Sequence, residues 1–105
     1  MRVKQKVIDQ YKALCKHSAA KCSNDSEIVG KVHRSITLGQ VTAIKNGGDM
    51  LVVRYYDLDF TINKNVIVNV WRNRKVAPVL IDEEVKNQYN ESIQYIVNNN
   101  WQFTN

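Results

Sequence analysis

The sequence predicts an α+β fold: an antiparallel sheet of four to five strands flanked by an N-terminal and a C-terminal amphipathic helix. Three observations carry that expectation. β-Branched and aromatic residues crowd the middle of the chain, between Met50 and Trp71. Two turn signals, Asn46-Gly47-Gly48-Asp49 and Asn63-Lys64-Asn65, divide that stretch into strand-length pieces. Apolar residues at both ends recur at helical spacing instead. Each helix would have one stripe to bury, and the sheet offers the complementary face.

Taken in order, Arg2 to about Ala20 places Val3, Val7, Tyr11 and Leu14 on one stripe, with Lys4, Lys6, Lys12 and Lys16 elsewhere, as on a helix with a basic outer surface. Ser23-Asn24-Asp25-Ser26 reads as a turn. Asp25 or Ser26 would cap a short helical segment through Glu27, Ile28 and Val29 that Gly30 ends. Lys31 to Leu38 alternates Val32, Arg34, Ile36 and Leu38 with His33, Ser35 and Thr37, which predicts a strand; Gly39 interrupts it, and Gln40–Lys45 reads as another strand, or as the same strand bent by a bulge at Gly39.

Met50 to Tyr56 is the next strand, followed by Leu58, Phe60 and Ile62 alternating with Asp57, Asp59 and Thr61. Beyond the second turn, period two places Val66, Val68 and Val70 inward and Ile67, Asn69 and Trp71 outward. Pro78 suits a loop or strand edge before Val79-Leu80-Ile81. Asp82 is the expected N-cap of a helix from Glu83 to about Asn98, with a stripe of Val85, Tyr89, Ile93, Ile96 and Val97. The aromatic tail Trp101–Phe103 is expected to pack back on the body.

At 105 residues, with 44% hydrophobic and 24% charged residues, the chain is expected to form a single small basic domain over residues 1–105, not a disordered tail. Its net charge of +5 favours acidic or polyanionic partners. No apolar run approaches membrane-spanning length and charges interrupt the N-terminus, so a cytoplasmic protein with no membrane association is expected. Cys15 and Cys22, seven residues apart, would lie roughly 10 Å apart along one helix, too far for a disulfide, and free thiols are expected. The asparagine, lysine and isoleucine content is that of a low-GC coding sequence, as in some bacteria and their viruses.

Few constellations point to chemistry. Cys15, His17, Cys22 and His33 lack the short knuckle of a structural zinc site, and on a helix Cys15 and His17 would point about 200° apart, so no metal and no cofactor are expected. Asp57 and Asp59 share a strand parity and could act as a carboxylate pair; a solvated strand face accounts for them as well. No nucleophilic triad or phosphate loop is present: Gly47-Gly48 lies between strands and lacks the following lysine and helix. The clearest pattern is aromatic and basic. Arg54 and Tyr56 share a strand face, Trp71 ends the last strand, and Arg72, Arg74 and Lys75 follow it. Flat rings stack on bases and guanidinium groups take phosphates, the chemistry that RNA or single-stranded DNA requires.

The run Gly47-Gly48, Met50–Val53, Tyr55–Phe60, Val66–Val70 and Arg72-Asn73-Arg74-Lys75 resembles the central hairpin of the RelE/HigB-type ribosome-associated RNase toxins. The resemblance spans about a quarter of the chain. It implies a small basic α+β protein whose strands end in residues that contact mRNA. Three features depart from that pattern: the second N-terminal helix reads as short or missing, the histidine found after the hairpin in many HigB members is missing, and a long C-terminal helix is added.

The function expected from these residues is a non-enzymatic, nucleic-acid-associated binding or regulatory module, a small accessory protein using Arg54, Tyr56, Trp71, Arg72, Arg74 and Lys75. The alternatives are an RNase toxin of the RelE/HigB kind and a protein–protein inhibitor or homo-oligomeric adaptor. The adaptor would pair through the Trp101–Phe103 tail or an open sheet edge.

Overall fold

A computed structural model of the chain describes residues 1–98, with side chains described through residue 91. The elements run β1 (Arg2–Val3), α1 (Gln5–Leu14), α2 (Lys16–Ala20), α3 (Asp25–Leu38), β2 (Gln40–Lys45), β3 (Met50–Tyr55), β4 (Leu58–Asn63), β5 (Val66–Arg72) and α4 (Glu83–Asn98). The Trp101–Phe103 tail lies outside the described residues, as do the side chains of Ile93, Ile96 and Val97.

The fold is α+β, with one five-stranded sheet in the order β1-β5-β4-β3-β2. It is mixed and not wholly antiparallel: β2 to β5 form an antiparallel meander, but β1 runs parallel to β5. The first residues are therefore extended where the apolar stripe predicts the start of a helix. The amides of Arg2 and Lys4 donate to the carbonyls of Asn65 and Ile67, so the outer edge of β5 captures them. Where β1 ends, the Gln10 side chain takes over that edge, accepting from the Val70 amide at 3.0 Å and donating to Asn69 Oδ1 at 2.7 Å.

The expected Arg2–Ala20 helix is thus broken twice. Val7, Ile8 and Tyr11 still bury one face of α1 against β5. At Cys15 (φ −118°, ψ 57°) the chain leaves helical geometry before α2.

The second correction is larger. Lys31–Leu38 is the C-terminal half of α3, not a strand. The buried residues Ile28, Val29, Val32 and Ser35 fall at helical intervals, and Val32 belongs to that series as well as to the period-two pattern. Gly30 interrupts nothing, since helix interiors tolerate glycine at a cost of about 1 kcal/mol. The N-terminus is well capped: Asn24 Oδ1 accepts from the Glu27 amide at 3.1 Å, and the Glu27 carboxylate accepts from the Ser23 amide at 2.7 Å. Gly39 is the C-cap of α3 and not a bulge. A Cβ there would lie 2.7 Å from the carbonyl oxygens of Arg54 and Ser35, so glycine lets the helix end press onto β3.

Both turns form where the sequence signals them. Asn46, Gly47 and Gly48 have positive φ between β2 and β3, and Lys64 and Asn65 both have positive φ between β4 and β5, as a type I′ hairpin turn requires. The register of β5 departs from simple alternation. A bulge between the Thr61–Asn69 and Ile62–Ile67 pairs leaves Val68 without an opposite residue. Ile67 and Val70 consequently share the core face with Phe60 and Ile62, and the expected inward trio of Val66, Val68 and Val70 is not formed: Val66 and Val68 are only half-buried. The core comprises Val53, Tyr55, Leu58, Phe60, Ile62, Ile67 and Val70 of the sheet beneath α1 and α3.

Asp82 caps α4 as expected, its Oδ1 accepting from the Glu84 amide at 2.9 Å. The described part of α4 meets the body through Lys86, Tyr89 and Asn90: Lys86 bonds Tyr56, Tyr89 bonds Thr37, and Arg34 Nη1 donates to Asn90 Oδ1 at 3.3 Å. Val85, the first expected stripe residue, is exposed.

Candidate nucleic-acid interface

The aromatic-basic residues gather at one end of the sheet, where β3 turns into β4 and β5 runs out. They do not play one role. Arg54 and Asp59 are directly opposite each other on β3 and β4, on the face away from α1 and α3. The segment after β5 folds over that face and encloses them. Arg54 is only 2% exposed. Its Nη1 donates to Asp59 Oδ1 at 3.0 Å, its Nε to the Ala77 carbonyl at 3.1 Å, and its Nη2 to the carbonyls of Asn73 and Val76 at 2.7 and 2.8 Å. The expectation that Arg54 faces a ligand is therefore corrected: its guanidinium is spent on the protein's own backbone.

Asn73 completes the clamp. Its amide donates to the Asp57 carbonyl at 2.8 Å, its Nδ2 to Asp59 Oδ2 at 3.2 Å, and its Oδ1 accepts from the Lys75 amide at 3.1 Å. The basic loop is thus tied to both strands that it crosses.

Tyr56 is also engaged. It lies outside β3, at φ 53°, a conformation costly for a bulky residue, and exchanges two backbone hydrogen bonds with Val79. Its hydroxyl donates to the Ile81 carbonyl at 3.3 Å and accepts from Lys86 Nζ at 2.7 Å. The Lys86 ammonium is held protonated above its ordinary range, first by that hydroxyl and then by Glu83. Tyr55 packs edge-on against the Tyr56 ring at 4.7 Å. The half-buried Tyr56 fixes the start of α4 to the sheet and presents little free ring.

The remaining residues are available. Trp71, paired with Asp59 in the ladder, is 36% exposed at the margin of the clamped loop. Arg74 and Lys75 are exposed and Arg72 half-exposed. Arg72 and Arg74 both approach Asp57 Oδ2, at 3.1 and 3.7 Å. Asp57 and Asp59 do not form a carboxylate pair: one answers to the arginines of the tip, the other to Arg54 and Asn73. Burial pushes the Cys15 thiol pKa up, and the Arg72 guanidinium offsets that only in part. Among the described residues, no three His, Cys, Asp or Glu side chains are placed to hold a metal ion.

Sequence reasoning missed Asn73, whose side chain ties loop to sheet, and Ala77 and Val76, which contribute only carbonyls. No side-chain pattern encodes a backbone acceptor. Among the described residues no strand pairs with the outer edge of β2, where a bulge between Val41 and Ala43 turns Val41 and Ile44 to the same side, both exposed. Among the described residues no helix is long and apolar enough to cross a membrane. No protein-family model, curated protein or solved structure matches the chain.

Proposed function

We propose that this protein is a non-enzymatic, cytoplasmic binding module that takes RNA or single-stranded DNA at the sheet end formed by Trp71, Arg72, Arg74 and Lys75. The observation that carries the reading is the division of labour between Arg54 and its neighbours. One arginine is buried to hold the loop's backbone, while an exposed indole and three cationic side chains are left at its surface. A base stacks on the indole and phosphates are taken by the cations, a combination tolerant of sequence. The clamp lowers the ordering cost of binding, because the loop is already fixed.

Fluorescence anisotropy with labelled single strands, between roughly 50 and 200 mM salt, tests this reading. The Arg72→Ala/Arg74→Ala variant should bind more weakly and flatten the salt dependence, by a slope of about 0.7 for each phosphate that is no longer neutralised. Trp71→Ala should cost roughly 1–3 kcal/mol per stacked base and leave the slope unchanged. Unaltered binding in both variants would remove the site.

A ribosome-associated RNase of the RelE/HigB kind is the second reading. α3 favours it: this long helix supplies the second N-terminal helix of that pattern, where the sequence alone predicts only a short segment. Expression of such a toxin should arrest growth of the host, and the double arginine variant should relieve the arrest. A pull-down from lysate with and without nuclease separates both from a protein-binding adaptor.

A further inference from the structure

Asp57 stands at the centre of the basic tip. Its Oδ2 is 3.1 Å from Arg72 Nε and 3.7 Å from Arg74 Nε, yet neither guanidinium is well used. Among the described residues the Arg72 Nε, enclosed by protein, finds no hydrogen-bond partner: the carboxylate is near it but off its axis. The Arg74 side chain is 75% exposed, where solvent screening leaves an ion pair weak. One carboxylate thus offsets two cations and satisfies neither fork.

The backbone beneath does not depend on that carboxylate. The Asp57 carbonyl is fixed by the Asn73 amide, and Arg54 holds the carbonyls of Asn73, Val76 and Ala77. Removing the Asp57 carboxylate therefore leaves the two arginines on the same scaffold. A phosphate group presents more oxygens than a carboxylate and suits the bidentate geometry of guanidinium donors.

We propose that Arg72 and Arg74 form a phosphate-binding site which the Asp57 carboxylate fills in the free protein, and that a phosphodiester or polyphosphate displaces it on binding. This deepens the nucleic-acid reading and rests on it only for the identity of the natural ligand.

The test uses two probes, inorganic tripolyphosphate and a single-stranded oligonucleotide, against the full chain and the variants Asp57→Asn, Asp57→Ser, Asp49→Asn and Trp71→Ala. Asp57→Asn should bind tripolyphosphate roughly threefold to tenfold more tightly, the scale of one or two screened ion pairs. Asp49→Asn makes the same charge change at the far end of the β3–β4 ladder, beyond the Met50–Asn63 pair. It should change affinity by less than about twofold, because salt screens distant charges. The Nε–Hε resonances of Arg72 and Arg74 should shift as tripolyphosphate is added to the unaltered protein, and Asp57→Ser provides a second variant should the amide perturb the turn. Equal effects of Asp57→Asn and Asp49→Asn, or weaker binding by Asp57→Asn, overturn the proposal. If the oligonucleotide binds through Trp71 but is indifferent to Asp57→Asn, the displacement falls and the nucleic-acid reading stands. If tripolyphosphate behaves as proposed and the oligonucleotide gains nothing from Trp71, the reverse holds. Binding of neither probe overturns both.

Discussion

Arg54 and Asp59 form a buried ion pair across β3 and β4, 3.0 Å apart, and the same arginine gathers three carbonyls of the loop that follows β5. Burying charges is costly, and the pair is tolerated because nearly every donor of the guanidinium and both carboxylate oxygens find partners. The pair therefore acts mainly as a specifier of where the loop lies.

Removing one partner should reveal that role. Arg54→Ala leaves a buried carboxylate and three carbonyls without their donor, and should cost roughly 3–5 kcal/mol in urea denaturation. Replacing both, as Arg54→Met with Asp59→Leu, should recover much of that stability while loosening the loop. A loss under about 1 kcal/mol in the single variant would show that the clamp does not hold.

The two glycines of α3 and its C-cap should respond in opposite directions to alanine. Gly30 has open space around its missing Cβ, so Gly30→Ala should stabilise by up to about 1 kcal/mol. Gly39→Ala would drive a methyl to 2.7 Å from two carbonyl oxygens and should destabilise by roughly 1–3 kcal/mol. Thermal melts of the two variants check the sign of each.

Loss of the α3 cap should be felt globally, since that helix carries Ile28, Val29 and Val32 of the core. Asn24→Ala should cost about 1 kcal/mol and Asn24→Asp much less, by the same denaturation measurement.

His33 gives a pH dependence of definite sign. Burial, with a smaller contribution from the N-terminal ammonium, lowers its pKa below the ordinary histidine value. The unfolded chain then binds the proton more readily than the folded one, so stability is present above about pH 6.5 and is lost as pH falls through the lower folded value. Denaturation midpoints measured across that range should fall on acidification, and His33→Gln should flatten the decline. A midpoint insensitive to His33→Gln would assign the acid sensitivity to other groups.

By itself the sequence determined the features that rest on local chemistry. The turns at Asn46–Asp49 and Lys64–Asn65 follow from residues that accept positive φ, the Asp82 cap from a side chain that bonds its own helix, and β3 and β4 from period-two burial. Where two periodicities fit the same residues, local chemistry was not enough. Val32 serves the alternation Val32-Arg34-Ile36-Leu38 and the helical series from Ile28 equally well, and only packing against α1 and over β3 selects the helix. The Val68 bulge and the parallel β1 are likewise settled by neighbouring strands, because a register shift has no signature in the strand that bears it.

The site divided in the same way. The sequence marked Trp71, Arg72, Arg74 and Lys75 as an aromatic-basic tip, and these are the residues left accessible. It ranked Arg54 and Tyr56 with them, because a residue type does not record what will cover it. Only the tertiary structure, by laying Asn73–Ala77 across the sheet, decided that Arg54 would bind backbone carbonyls and that Asp57 would stand between the two arginines of the tip.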